Sequence, residues 1–242
     1  MSSDSIKAYD LPERVRRYDA DMDVMHPLRW KMIAVALEVL PFSRSTDLRI
    51  LDLGIGTGVF AQQLLKEFPS AQVLGVDGSE AILEIATARL SRYSNRLRLE
   101  AHDFRKLPRG LLDESTLDLA VSSYALHHLN KDEKSDVVRQ VVGALKTGGW
   151  FVNADIVIAE SPCIENRFQD LRVKGIVARA EGDERFRDEP VTRQYLDDME
   201  KKEQDQPQRL AVDLQIFREA GLDAEVFWRE YREVVVGGPK RA

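Results

Sequence analysis

Short apolar runs alternate with amphipathic segments along the middle of the chain. Five of these runs have the length of buried strands and are rich in Val, Ile and Leu, whereas the segments between them repeat apolar residues at helical spacing. The runs are RILDLG (49–54), AQVLGVDG (71–78), RLRLEAHDF (96–104), LDLAVSSYAL (117–126) and GGWFVNADIVIA (148–159). Because this alternation is typical of strand-helix-strand crossovers, the pattern predicts an α/β fold around a parallel sheet.

The last part of the chain has a different pattern. A segment with helical spacing (212–221) is followed by two strand-like runs, AEVFWREY (224–231) and EVVVGG (233–238). The gap between these two runs is too short for a crossover helix. The pattern therefore predicts that the sheet ends in an antiparallel pair.

Two segments do not follow the strand-helix alternation. The N-terminal segment, 1–47, is predicted to be helical. The segment 160–208 is charged and contains Pro162, Pro190 and Pro207, so it is predicted to form helices on the surface instead of a sheet strand. Ligands of open parallel sheets bind beyond the carboxyl ends of the strands. An insertion after the fifth strand is well placed to cap that edge and to contact a substrate.

Composition narrows the classes of protein to be considered. The 242 residues are 43% hydrophobic, which is enough for a single domain over 1–242 with one core. The net charge of −6 provides no global attraction for nucleic acid, and no apolar run is long enough to span a bilayer. The first residues lack the features of a signal peptide, so a cytoplasmic protein is expected. Cys163 is the only cysteine, which excludes an intramolecular disulfide and a cysteine zinc cage, and no metal site is predicted.

The glycine-rich stretch ILDLGIGTGVF (50–60) predicts a ligand-binding loop after the first strand. A phosphate-binding P-loop would need Lys and Ser or Thr after its last glycine, but Val59 and Phe60 follow Gly58. A dinucleotide loop would need a small residue where Val59 stands. Asp52 precedes the turn, and its carboxylate suits a ligand ammonium group better than a pyrophosphate.

Acidic residues also end the second and third predicted strands. Asp77 is placed to accept both hydrogen bonds of a ribose diol. Asp103 offers an acceptor for an exocyclic amine, and Phe104 beside it offers an apolar ring, as adenine binding requires. Together with the glycine-rich loop, these residues predict a site for a nucleoside without a pyrophosphate.

These motifs, in this order, resemble the class I S-adenosylmethionine-dependent methyltransferases. The stretches that carry the resemblance are LDLGIGTG, VDGS, HDF, SSYALHHL and LKTGGWFVNADI. The resemblance implies a Rossmann-like, doubly wound, seven-stranded and mostly parallel sheet with one antiparallel strand. It also implies S-adenosylmethionine as the cofactor and S-adenosylhomocysteine as its product. The cofactor contacts that it implies are Asp52, Gly54, Gly56, Gly58, Asp77, Gly78, Asp103, Phe104 and Ser122.

The stretch YDADMDVMHP (18–27) and the C-terminal region are similar to the small-molecule branch of that family, which includes the carboxy-S-adenosylmethionine synthases. In that branch a Tyr-Asp segment lies over the cofactor, so 1–47 is expected to cover it and Tyr18 to contact it. Ordinary S-adenosylmethionine is the prediction. A carboxy-S-adenosylmethionine synthase-like enzyme of tRNA modification and a non-catalytic S-adenosylmethionine-binding subunit stay open as alternatives.

His127 is the candidate catalytic residue. Methyl transfer from a sulfonium is an in-line displacement, so the protein mainly supplies alignment and, for some acceptors, a base. His127 directly follows the fourth predicted strand, where the methyl group would emerge, and a near-neutral pKa suits a general base. A packing or capping role for the same ring stays open. The expected partner is a small-molecule substrate, without nucleic acid or membrane, and a homodimer is left open.

Overall fold

The computed structural model describes residues 4–108 and 110–242, which are built around one seven-stranded sheet. The strands are β1 (Arg49–Leu53), β2 (Gln72–Asp77), β3 (Leu97–Ala101), β4 (Leu117–Ser123), β5 (Leu145–Ile156), β6 (Glu225–Glu230) and β7 (Glu233–Pro239). Their order is β3-β2-β1-β4-β5-β7-β6, and only β7 runs antiparallel to its neighbours. The predicted sheet and its antiparallel ending are confirmed.

Helices cover both faces of the sheet. They are α1 (Asp4–Tyr9), α2 (Pro12–Met25), α3 (Arg29–Glu38), α4 (Val59–Glu67), α5 (Glu80–Arg89), α6 (Lys131–Ala144), α7 (Pro162–Arg179), α8 (Glu189–Glu203) and α9 (Leu210–Glu219). One apolar core lies between the sheet and α3, α4 and α5, and a second lies between the sheet and α6 and α9. The sheet is therefore doubly wound, with its central strands buried on both faces.

The boundaries of two helices follow from local capping. Ser79 caps α5, because its hydroxyl accepts a hydrogen bond from the Ile82 amide at 3.2 Å. Asn130 and Glu133 form a capping box at the start of α6. The chain passes directly from α6 into β5 at Leu145, so this strand begins a few residues before the glycine pair at which its predicted run began. These caps place both helices behind the carboxyl ends of the strands.

Hydrogen bonds and an ion pair of α2 connect the N-terminal helices to the glycine-rich loop. Asp19 accepts a hydrogen bond from the Thr57 hydroxyl at 2.8 Å and pairs with Arg89 on α5. Arg89 also donates to the Thr57 hydroxyl at 2.7 Å. Closer to the N-terminus, the Ser79 hydroxyl donates to Asp10 at 2.6 Å. These bonds hold the N-terminal segment over the carboxyl ends of β1 and β2.

The segment after β5 forms α7 and α8, which pack on α2. A third apolar cluster joins them, and its largest members are Met25, Phe186 and Leu196. Arg185 adds a polar contact between the cap and α2, because its guanidinium donates to the Asp21 carboxylate at 2.7 Å. The N-terminal helices and the cap thus form one layer over the edge of the sheet. In the described part of the chain, no helix is both long and apolar enough to cross a bilayer.

Candidate active site

A cavity of about 930 Å³ opens at the carboxyl ends of β1 to β4. Its floor is formed by the residues that follow these strands, and its roof comes from the N-terminal segment through Tyr9, Tyr18 and Arg29. This is the edge at which open parallel sheets bind ligands. We call this space the cofactor cavity.

Two of the three loop glycines line the cofactor cavity. Gly54 and Gly56 have φ angles of +72° and +55°, which favour glycine. A Cβ atom on Gly54 would lie 2.3 Å from the Cβ of Ala125, so only glycine fits beside Ala125 at this position. Gly58 is not part of the lining; a Cβ atom on it would meet Leu90 Cδ1 at 2.7 Å. Glycine at position 58 therefore allows close packing at the start of α4, and its cofactor contact stays a prediction.

Asp77 lies at the end of β2 and lines the cavity. Its two carboxylate oxygens accept hydrogen bonds from the backbone amides of Gly56 at 2.9 Å and Ser79 at 3.0 Å. Burial raises the pKa of Asp77, and these amides oppose the effect. A carboxylate offers about four acceptor sites, so the fixed group keeps acceptors for a ligand diol. Gly78 beside it also lines the cavity.

Asp52 is buried at the end of β1 with one free acceptor. Its Oδ2 atom has no hydrogen-bond partner among the described residues. Burial, together with the charge of Asp77, raises the pKa of Asp52 to about 7. Arg29, which the sequence analysis missed, lines the same cavity from α3. The two residues offer an acceptor and a cation to one cavity, the two kinds of group that an amino-acid zwitterion requires.

Asp103 and Phe104 line the cavity beyond β3. The Asp103 carboxylate accepts from the Arg105 backbone amide at 3.0 Å and from its Nε at 2.7 Å. This local turn fixes the carboxylate at the cavity edge. The Phe104 ring lies 3.8 Å from the position that a Cβ atom of Gly54 would take, which places an apolar ring above the glycine loop.

Ser122, for which a cofactor contact is predicted, is not among the residues that line the cavity. It is fully buried in β4, and its hydroxyl donates to the Leu53 carbonyl at 2.8 Å. Ser123, the next residue, lines the cavity instead. Successive side chains of a strand point to opposite faces, so a shift of one residue moves the contact from the sheet interior to the cavity.

Tyr18 separates the cofactor cavity from a second, smaller space. Its ring packs edge-on against Tyr9 at 6.1 Å, and the Arg14 guanidinium lies over both rings. Burial raises the pKa of both tyrosines, so their phenols stay neutral. Tyr18, Tyr9 and Tyr124 line both spaces and form the partition between them.

The second space has a volume of about 370 Å³ and is lined by His127 and Asp205. We call it the acceptor chamber. It adjoins a groove of about 840 Å³ under α7, lined by Phe168, Arg179 and Tyr231. His26 and Arg172 line both the chamber and the groove. Groove, chamber and cofactor cavity thus follow one another in series.

Asp155 at the end of β5 holds His127 in place. Their Nδ1 and Oδ1 atoms are 2.6 Å apart, and Asp155 Oδ2 accepts from the His127 backbone amide at 3.0 Å. Burial opposes protonation of His127, but the charges of Asp155 and Asp205 outweigh it and raise its pKa. Burial would raise the pKa of Asp155, yet His127 lowers it. The carboxylate is therefore ionised and accepts Nδ1–H, so Nε2 carries the lone pair of the neutral ring.

Comparison with known proteins finds a family that part of this chain is similar to. Residues 50–149 match the family described as methyltransferase domain. An uncharacterized methyltransferase of Anoxybacillus flavithermus is 30% identical over 132 residues, 54% of this chain and 58% of the relative. A carboxy-S-adenosyl-L-methionine synthase of Nautilia profundicola is 22% identical over 166 residues, 68% of this chain and 69% of the relative. The chain spans less than two thirds of the length of the first of these relatives.

A solved structure extends the likeness to nearly the whole fold. An O-methyltransferase family protein of Burkholderia thailandensis superposes with a TM-score of 0.70, covering 98% of this chain and 62% of that chain. The two sequences are 14% identical, so the superposition shows a shared architecture. The Rossmann-like fold that the motifs imply is confirmed.

Proposed function

We propose that the chain transfers the methyl group of S-adenosylmethionine to a small-molecule acceptor. The proposal is supported by the match of residues 50–149 to a methyltransferase domain and by the methyltransferase relatives. One observation carries the proposal. The cofactor cavity, which has nucleoside-binding chemistry, lies next to the acceptor chamber, which contains a histidine. Tyrosine side chains separate the two spaces. Two adjacent sites of this kind are what a transfer between two small molecules requires.

The cofactor cavity supplies a partner for each part of S-adenosylmethionine. Asp77 is the proposed acceptor for the ribose diol, and Asp103 with Phe104 is proposed for the adenine. The unpartnered Oδ2 of Asp52 fits the methionine ammonium group, and Arg29 fits the carboxylate. Glycine at position 54 leaves the close backbone approach that this ligand needs.

The chain's own contribution to the transfer is alignment in a dry site. When bound, S-adenosylmethionine supplies an activated methyl group on a positively charged sulfur. Tyr18 and Tyr124 close the space around the reacting atoms and exclude water. His127 is the proposed catalytic residue, because its Nε2 accepts a hydrogen bond from an acceptor O–H or N–H group and so orients that group. Its general-base role stays a prediction.

A second candidate is a carboxy-S-adenosylmethionine synthase-like activity. It is favoured by the Nautilia profundicola relative, with which this chain aligns over more of its length than with the Anoxybacillus flavithermus relative. In that case the cofactor would carry an additional carboxylate. Native mass spectrometry of cofactor retained during purification distinguishes the two forms by their mass.

The test combines cofactor binding with methyl transfer. We expect S-adenosylmethionine to bind in calorimetry, and methyl-labelled cofactor to label an acceptor from a panel of phenols, amines, thiols and carboxylic acids. His127→Ala should lower transfer and leave cofactor affinity unchanged, because His127 lines the acceptor chamber and not the cofactor cavity. His102→Ala is the matched control, since that ring is one-third exposed and lies at the end of β3. Absence of cofactor binding would refute the proposal.

A further inference from the structure

Three metal-ligating side chains converge at the boundary between the cofactor cavity and the acceptor chamber. His128 Nδ1 lies 2.8 Å from Asp205 Oδ1, and His127 Nε2 lies 3.7 Å from the same oxygen. One ligand atom from each residue falls within 4.8 Å of the others. We infer that His127, His128 and Asp205 bind a divalent transition-metal ion. The inference rests on the proposed function only for what the ion would do, and not for its binding.

The facing atoms of His128 and Asp205 lack hydrogen bonds. Neither His128 Nδ1 nor Asp205 Oδ1 has a hydrogen-bond partner among the described residues, because the two atoms are close but not aligned for one. The Asp205 side chain is only 9% exposed. Buried polar atoms without partners are destabilising. A cation between them would satisfy both atoms at once.

The bonding of Tyr9 determines which nitrogen of His128 faces Asp205 with a lone pair. Tyr9 donates its hydroxyl proton to Glu203 at 2.6 Å, so its oxygen is left to accept from His128 Nε2 at 3.1 Å. Arg14 holds Glu203 in turn at 2.8 Å. With Nε2 bonded to Tyr9, Nδ1 is the nitrogen of His128 that faces the Asp205 carboxylate, at 2.8 Å. A ring nitrogen and a carboxylate oxygen that face each other in this way are two ligand atoms for one divalent cation.

Both histidines have the outer contacts typical of metal ligands. The remote nitrogen of His127 is bonded to the Asp155 carboxylate, and that of His128 to the Tyr9–Glu203 pair. Outer-shell partners of this kind fix the ring tautomer and direct the other nitrogen at the ion. The two rings lie 4.1 Å apart, which lets adjacent residues present nitrogens to one point.

The backbone brings Asp205 to the histidines. Gln204 ends α8 in the left-handed conformation, with φ of +58°, and turns the chain back toward the sheet. The Gln206 amide then donates to the His127 carbonyl at 2.7 Å. The cap and the turn after β4 are thus tied together at the ligands, which pre-organises the site.

Two imidazole nitrogens and one carboxylate oxygen define the class of ion. Such a set suits Zn²⁺, Fe²⁺ or Co²⁺, whereas Mg²⁺ and Ca²⁺ prefer oxygen ligands. Three protein ligands leave positions open for an exogenous group. His128 lines the cofactor cavity, and His127 and Asp205 line the acceptor chamber, so an open position would lie where the two meet. With the ion bound, His127 Nε2 would hold the ion and not the O–H or N–H group of the acceptor, and an oxygen or nitrogen of the acceptor would occupy the open position.

The test uses untagged protein freed of metal with a chelator and titrated with Co²⁺ and Zn²⁺. We expect one equivalent of Co²⁺ to bind with visible absorption bands, and Zn²⁺ to displace it, while Mg²⁺ does not. Asp205→Asn should weaken Co²⁺ binding by at least the roughly 10- to 100-fold that loss of an outer-shell partner costs. Asp170→Asn is the matched control, because this acid pairs with Arg193 on the same cap, away from the cluster.

Two outcomes would overturn the inference. One is Co²⁺ affinity that is the same in wild type and Asp205→Asn, and the other is wild type that binds no Co²⁺ while it still binds S-adenosylmethionine. His128→Asn serves as a second variant if Asp205→Asn does not fold, as judged by circular dichroism and by its own cofactor binding. Since the metal readout needs no cofactor, failure of this site and failure of the proposed function give different results.

Discussion

The cofactor cavity and the acceptor chamber are built in different ways. In the cofactor cavity, Asp77 and Asp103 bond to backbone amides that are 2 to 21 positions away in the chain. Around the acceptor chamber, side chains pair over much longer separations: 28 positions for His127 with Asp155, and 194 for Tyr9 with Glu203. The first site is formed by strand ends, and the second only when separate helices dock.

This difference predicts that the two sites respond separately to mutation. Backbone amides hold the cofactor acids, so replacing one acid should affect ligand binding more than folding. Around the acceptor chamber, buried charges are paired with each other, His127 with Asp155 and Arg14 with Glu203, so removing one of them should affect stability first. Four experiments test whether the cofactor cavity and the acceptor chamber respond separately.

Of the four experiments, Asp155→Ala should give the largest change, a loss in the free energy of unfolding. It leaves the buried His127 ring without its carboxylate, and breaking a buried pair in this way costs about 3–5 kcal/mol. We expect that loss in the free energy of unfolding measured with urea, with cofactor affinity per folded molecule unchanged. Asp118→Ala is the control, because this carboxylate near the start of β4 pairs with Lys146, whose side chain is half exposed. A loss below about 1 kcal/mol would show that the chamber does not depend on this pair.

Asp77→Ala should show the opposite behaviour. The variant is expected to lose about 1.5–3 kcal/mol of S-adenosylmethionine binding, the range for hydrogen bonds to a charged group, and to keep its fold. Calorimetry gives the affinity and thermal unfolding gives the stability. Glu100→Ala, on the neighbouring strand β3, should leave both values unchanged. If Asp77→Ala bound S-adenosylmethionine as tightly as wild type, Asp77 would not be the acceptor for the ribose diol.

The pH dependence of cofactor affinity should follow the ionisation of the Asp52 carboxyl group. Its raised pKa of about 7 means that the carboxylate, the form that pairs with an ammonium group, is populated above pH 7 and lost below it. If only this form binds, affinity should rise about tenfold from pH 6 to pH 8. Asp52→Asn should abolish the rise. A slope that persists in this variant would assign it to another group.

Asp19→Asn should have the smallest effect, and it tests the link between the two sites. Asp19 joins α2 to Thr57 and Arg89, but about a third of its side chain is exposed, so solvent screens the pair. We expect a loss of about 0.5–1 kcal/mol and faster hydrogen exchange in α2. Unchanged exchange would mean that the apolar cluster alone holds the N-terminal helices.

The sequence determined the fold class and the ends of its strands, because apolar runs and glycine-rich turns are local signals. Asp52, Asp77 and Asp103 could be placed in one site without a structure, since the carboxyl ends of parallel strands meet at one edge. The choice between Ser122 and Ser123 could not be made, because a strand buried on both faces shows no alternation of polar and apolar residues.

Only the tertiary structure decided how the acceptor chamber is assembled. Nothing near Asp205 in the chain indicates that it meets His127 and His128, and nothing near Tyr9 indicates its bonds to His128 and Glu203. Arg29 reaches the cofactor cavity because α3 docks on the sheet. These contacts depend on how helices from the two ends of the chain pack together. Their positions are set by burial of apolar surface, a non-directional force that local sequence patterns do not encode.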